Sequence, residues 1–85
     1  MMVLIPSPLH SYTGAAEVEA EGATLDLLLR DLDRRHPGLR FRIVDEQDRM
    51  RPHVRFFVDG EQVFDLGQRL EADQSVQIVQ ALSGG

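Results

Sequence analysis

Cysteine, tryptophan and lysine are missing altogether from these 85 residues. Without cysteine there is no disulfide framework, no thiolate nucleophile and no thiolate metal site, so an oxidising compartment gains no support. Without lysine, no side-chain amine of the chain can capture an activated carboxyl on the same molecule. No apolar run approaches the roughly 20 residues of a membrane span, which argues against a membrane as partner. Residues 1–5 are apolar but short, lack a basic flank and run into Pro6-Ser7-Pro8, unlike a signal peptide. The expected compartment is therefore the cytoplasm. His10, His36 and His53 have no pair at a ligand spacing, so no metal site is expected.

What is present is one small domain's worth of chain, 42% hydrophobic and globular in composition. The net charge of −5 argues against nucleic acid as a partner. All nine basic residues are arginine, and eight of them fall between Arg30 and Arg55, interleaved with five acids. That region reads as a salt-bridged surface. Residues 1–29 carry four acids and no base, and residues 56–85 carry five acids and only Arg69. An acidic surface around the C-terminal residues is the expectation, suited to a partner with a basic approach.

Periodicity divides the chain. Met2-Val3-Leu4-Ile5 reads as a strand closed by proline, followed by a loop over residues 6–15 that reverses the chain, in which Tyr12 is either a lid over the core edge, the preferred reading, or part of a contact surface. Ala16-Glu17-Val18-Glu19-Ala20-Glu21 alternates strictly, the pattern of a strand with one wet face. Thr24 is a suitable N-cap for a helix whose Leu25, Leu28, Leu29 and Leu32 form one apolar stripe, stopped by His36-Pro37-Gly38. Asp26→Arg30 and Asp31→Arg35 are favourable i,i+4 pairs on its outer surface. Residues 39–44 read as a strand or extended segment, with Leu39, Phe41 and Ile43 in phase. Val54-Arg55-Phe56-Phe57-Val58 is the clearest strand; Asp59-Gly60 is a strong hairpin signal, and Glu61-Gln62-Val63-Phe64 returns. Residues 65–70 read as irregular, and Glu71-Ala72-Asp73-Gln74 turns into a last strand over residues 75–80.

The order β-β-α-β-β-β implies an α+β fold of the β-grasp type: a mixed four- to five-stranded sheet with one main helix packed on one face. Residues 1–80 form the domain. Residues 81–85 are expected to be a thin, flexible C-terminal tail, because glycine adds conformational freedom and no bulk.

The whole chain resembles the MoaD/ThiS family of ubiquitin-like sulfur carriers, the molybdopterin-synthase small subunit among them. The resemblance rests on VLIPSPLHSYT (residues 3–13), Gly22-Ala23-Thr24, Arg35-His36-Pro37-Gly38, Phe56-Phe57-Val58-Asp59-Gly60-Glu61 and the closing VQIVQALSGG (residues 76–85). Asp59 stands where the family often has asparagine, and Asp73-Gln74 replaces the usual Gly-Asp before the last strand. The resemblance implies that the Gly85 carboxylate, approached through Gly84, is adenylated by a ubiquitin-activating-like enzyme that uses ATP. It then becomes a thiocarboxylate and donates sulfur to a synthase. The chain itself is implied to bind no cofactor and to have no active site of its own. Residues 39–53 are longer than in the shortest, thiamine-type carriers. That points to a molybdopterin synthase large subunit or a cysteine synthase-like enzyme as acceptor, with molybdenum cofactor synthesis as the first choice. Thiamine or secondary-metabolite synthesis, or a protein modifier joined to lysines, are the alternatives.

Strand parity adds a docking surface. Val54, Phe56 and Val58 point to the helix side, leaving Phe57 on the open face side by side with Val79, and Leu4 as a third member. Ala81, Leu82 and Ser83 complete the expected partner-binding set. Clustered exposed apolar residues on a small protein mark such a site.

Overall fold

Strand pairing brings the first and last strands of this chain together in the middle of one sheet. The computed structural model describes residues 1–81. Five strands, β1 (Met2–Leu4), β2 (Glu17–Glu19), β3 (Val54–Val58), β4 (Glu61–Val63) and β5 (Val76–Gln80), lie in the order β2-β1-β5-β3-β4. β1 and β5 run parallel, with Val3 opposite Val76; the other pairings are antiparallel. Both edges are strands of only three residues, a length that limits unwanted edge pairing.

The main helix, α2 (Leu25–Arg35), covers one face. Its stripe of Leu25, Leu28, Leu29 and Leu32 is fully buried against Val3, Phe56, Val76 and Ile78. Burial of each such side chain contributes about 1.5–3 kcal/mol. The start of α2 leaves no first-turn N–H without a partner. Leu25 and Asp26 donate to the carbonyls of Gln68 and Leu66, Leu27 donates to Thr24 Oγ1, and Leu28 to the Thr24 carbonyl. Residues 65–70, irregular by sequence, are thus the strap that caps the helix. The Asp59-Gly60 turn has positive φ at both residues, 48° and 86°, as the two-residue hairpin requires. Asp59 Oδ1 also accepts from the Ser75 N–H at 2.9 Å, tying the hairpin to the start of β5. Before that strand, Glu71-Ala72-Asp73-Gln74 closes with the Gln74 N–H on the Glu71 carbonyl. The Gln74 side chain returns the bond to the Glu71 N–H, and no positive φ is needed there.

Two expectations are corrected. Residues 39–44 are not extended: Leu39–Ile43 form a short helix, α3. Leu39 and Ile43 are buried four residues apart while Phe41 points out at 54% exposure, a helical rather than a strand period. Gly38, at φ 94°, sets the chain up for this turn. The loop at residues 6–15 likewise holds a 3₁₀ turn, Ser7–Leu9, and a four-residue helix, α1 (His10–Thr13), ended by Gly14 at φ 71°. Pro8 near the start of that turn lacks only an N–H that would be unpaired anyway. No helix among the described residues is long and apolar enough to cross a membrane.

Candidate functional site

The site is built where β5 ends. β5 is held on both sides, by β1 and by five paired positions of β3, so Gln80 and Ala81 leave the sheet from a braced centre. The last described backbone bond is the Ala81 N–H on the His53 carbonyl at 2.7 Å. Ala81 is exposed. Leu82, Ser83, Gly84 and Gly85, named above on sequence grounds, lie outside the described residues.

On the open face, β-strand alternation leaves Leu4, Phe57 and Val79 half-buried and Gln77 exposed. The register corrects the expected arrangement. Phe57 stands opposite Gln77, and Val79 opposite Arg55, so Phe57 and Val79 are diagonal neighbours rather than side by side. Gln77 is also the partner of Leu4, which places it between Leu4 and Phe57 in one row. Leu4 and Val79 meet in a cleft of about 510 Å³ between β5 and residues 5–8, which Pro6, Pro8 and Ala16 also line. Proline and alanine at the rim were not anticipated; their signal in the sequence was the Pro6-Ser7-Pro8 punctuation, read only as a chain reversal.

On the other side of Gln80 lies a second cleft, of about 530 Å³, lined by Tyr12, Phe41, Arg42, Glu46, Arg51 and His53 among others. This cleft does not match the expected acidic surround, since Arg42 and Arg51 outnumber its single acid, Glu46. Arg42 Nε donates to Tyr12 Oη at 2.6 Å, with its guanidinium carbon 5.8 Å from the ring centroid. Arg51 Nε donates to the Phe41 carbonyl at 2.8 Å and lies 4.7 Å from the Phe41 ring centroid. Tyr12 is therefore both packed against the core edge and part of an exposed surface. Gln80 lines both clefts, and its Oε1 is buried with no hydrogen-bond partner among the described residues.

The remaining charge is structural. Arg40 reaches Asp26 at 3.1 Å and Asp48 at 2.9 Å, joining α2, α3 and the loop after it. Partial burial works against the charge of Asp26, but its hydrogen bonds to Arg30 and Arg40 outweigh this and hold its pKa below the usual value. The Asp31 carboxyl is lowered to about 2 by the Glu21 backbone N–H, then by Arg34 and Arg35. The two aspartates stand on opposite flanks of α2, Asp26 toward Arg40 of α3 and Asp31 toward Glu21, both far along the chain from the end of β5. His10 Nε2 lies 2.8 Å from the Ile5 carbonyl, and His36 is the C-cap of α2, its N–H on the Leu32 carbonyl. Among the described residues no three of His, Cys, Asp or Glu gather as a metal site.

Comparison with known proteins agrees with this architecture. The model of the ThiS family matches residues 3–85. A chain of the Amycolatopsis orientalis BexX/CysO complex is 31% identical, with 99% of this chain and 98% of that one covered and a TM-score of 0.91. Mycobacterium tuberculosis CysO is 29% identical over 95% of this chain and 98% of that one, with a TM-score of 0.89. SAMP1 of Haloferax volcanii, a small archaeal modifier protein, is 25% identical over 100% and 98%, with a TM-score of 0.82. No curated protein sequence matches significantly.

Proposed function

The chain belongs to the ThiS family of ubiquitin-like sulfur carriers and modifiers, and from that premise we propose that Gly85 carries sulfur as a C-terminal thiocarboxylate. A carboxylate is a poor electrophile. A ubiquitin-activating-like enzyme therefore first joins it to the α-phosphate of ATP, releasing pyrophosphate and giving an acyl adenylate. A sulfur nucleophile then displaces AMP, leaving the carboxyl carbon bonded to sulfur. The acceptor is a synthase of the molybdopterin-synthase large-subunit or the cysteine-synthase type. In this reading the chain is carrier and co-substrate, and the activating enzyme supplies the ATP site and the catalytic groups.

The observation that carries the reading is the placement of β5. It is a central strand parallel to β1, and in the sequence it is followed by Ala81, Leu82, Ser83 and the diglycine. A braced strand whose sequence closes on Ser83 and two glycines offers an acyl group with no bulky side chain beside it, which a narrow channel can accept. Leu4, Phe57 and Val79 on the open face then serve as the apolar contact for the enzyme that holds the terminus.

Intact-protein mass after incubation with the adenylating enzyme of the same organism, ATP and a sulfide source tests this. The expected change is the exchange of one oxygen for one sulfur at the terminus, abolished by deletion of Gly85. An unchanged mass with that enzyme active on ATP refutes it. A second reading, a modifier joined to target lysines, is favoured by the likeness to SAMP1. It predicts an isopeptide between Gly85 and a target lysine in place of the thiocarboxylate.

A further inference from the structure

The nine arginines divide into two sets. Arg30, Arg34, Arg35, Arg40 and Arg49 each have an aspartate oxygen within 4.0 Å. Arg42, Arg51, Arg55 and Arg69 have no carboxylate at that distance among the described residues. The unpaired set is not scattered. Arg42 and Arg51 line the same cleft with His53 beside Gln80, and Arg55 is the cross-strand partner of Val79. In a chain of net charge −5, with acids to spare, the arginines beside the end of β5 are the ones without an ion pair among the described residues, although Glu46 lines the same cleft.

The two cleft arginines are also oriented. Each uses Nε to reach a fixed neutral oxygen and lies near an aromatic ring, which leaves its terminal N–H groups for a ligand. A guanidinium restrained in this way forfeits less side-chain entropy when it binds a planar carboxylate. Glu46 lines the cleft as well and makes no ion pair among the described residues. Gly85 is the fifth residue after Gln80, so chain length alone limits the reach of the carboxyl end from Gln80 to about 17 Å. Whichever protein takes up Gly85 must come that close to these arginines.

We infer that the Arg42–Arg51 cleft is a docking site for an acidic, carboxylate-bearing segment of the enzyme that first takes up the C-terminus. The inference rests on the carrier reading, since adenylation precedes every later step. It assigns the two faces beside β5 different work: the open face offers apolar contact, and the cleft fixes orientation and partner choice through charge.

The test is steady-state adenylation by the activating enzyme of the same organism. Arg42→Glu, Arg51→Glu and, as a control with the same charge change away from the cleft, Arg69→Glu are compared with the wild type. Each cleft variant is expected to raise the KM for the carrier at least fivefold, with kcat within twofold. The difference should shrink as salt is added. Arg69→Glu should stay within twofold of wild type throughout. Far-ultraviolet circular dichroism checks that all three are folded. Equal effects from all three variants, or none, overturn the inference while leaving the carrier reading intact. Absence of wild-type adenylation overturns both. The Nε–Hε NMR signals of Arg42 and Arg51 are also followed in the free protein as inorganic phosphate is added. A saturable shift would reassign the cleft to a phosphate ligand and overturn the acidic-segment occupant.

Discussion

Replacing Gly22 by alanine should damage this fold more than any other single added methyl at a described glycine. Gly22 follows β2 and faces the first turns of α2. A Cβ built there would lie 2.3 Å from the Leu28 nitrogen and 2.7 Å from both the Leu27 carbonyl carbon and the Leu28 Cα. All three are backbone atoms of a helix, so no rotamer change relieves the contact. To reach ordinary van der Waals distance, either the strand end or the helix must move by about 1 Å. Neither is free to do so. Leu25, Leu28, Leu29 and Leu32 are fully buried on that helix, and its first N–H groups are held by Gln68 and Leu66.

Overpacking of this kind costs about 1–3 kcal/mol, and contact with backbone on a pinned helix puts Gly22→Ala near the upper end. That is a large part of the roughly 4–13 kcal/mol available to a domain of this length. Urea unfolding followed by circular dichroism measures it. With a slope of about 1 kcal/mol per molar, the midpoint should fall by about 3 M. Gly14→Ala is the comparison, because its φ is 71° but its Cβ would meet nothing within 4 Å. It should lose only the left-handed backbone cost of about 1–2 kcal/mol. If Gly22→Ala unfolds within about 0.5 kcal/mol of wild type, or is milder than Gly14→Ala, the steric reasoning is wrong.

Two further outcomes follow from the surface. Asp31, at about 2, and Asp26 and Asp45, both below their usual value, are carboxyls whose folded pKa is depressed. Their stabilisation is complete above the unfolded pKa and is lost as pH falls through the folded one, so the urea midpoint should drop between about pH 4 and pH 2. Asp31→Asn should lower the midpoint at neutral pH and converge with wild type near pH 2; a deficit that stays constant over that range contradicts the assignment. On the open face, Phe57→Asp should lower the midpoint only modestly, by about 1 M, because it removes a half-buried ring and puts a poor strand former on β3. It should nevertheless raise the KM for the carrier in adenylation about tenfold or more, and an unaltered KM removes Phe57 from the docking surface.

The parts of this fold that were legible in the sequence are those where one period was present without a competitor. The leucine stripe of α2, the alternation of residues 54–58 and the Asp59-Gly60 turn each admitted a single geometry. Residues 39–44 did not. Leu39 and Ile43 satisfy both a strand period and an i,i+4 pair, and Phe41 breaks the tie only once it is seen to be exposed. Burial against α2, together with the Arg40 contacts to Asp26 and Asp48, selects the helix, and neither is local information. The open-face residues were legible by parity, but their adjacency was not. Parity says which side a residue takes, whereas the β3–β5 register decides that Gln77, not Val79, stands opposite Phe57. Gly22 shows in the sequence only as the residue after the alternating run, although the demand for glycine comes from a helix backbone several residues later.

The charge pattern shows the same limit and explains why it matters for recognition. Counting along the chain, the acids flank the terminus and the arginines sit in the middle, so the terminus reads as acidic. In space, Asp26, Asp31, Asp45 and Asp48 are taken up by Arg30, Arg34, Arg35, Arg40 and Arg49, while Asp33 accepts from the backbone N–H groups of Gly38 and Arg40. What remains of the middle segment's positive charge is Arg42, Arg51 and Arg55, and the β3–β5 pairing carries the adjoining strand to the end of β5. Long-range steering is governed by the whole-molecule charge of −5, whereas contact is governed by the few unpaired groups inside a Debye length of about 8 Å. An acidic carrier with a basic exit thus approaches partners through one sign of charge and orients on them through the other. A partner with only a basic face would meet the bulk charge favourably and still find arginines where the terminus must enter. Selection therefore falls to the partner that places carboxylates at that one position.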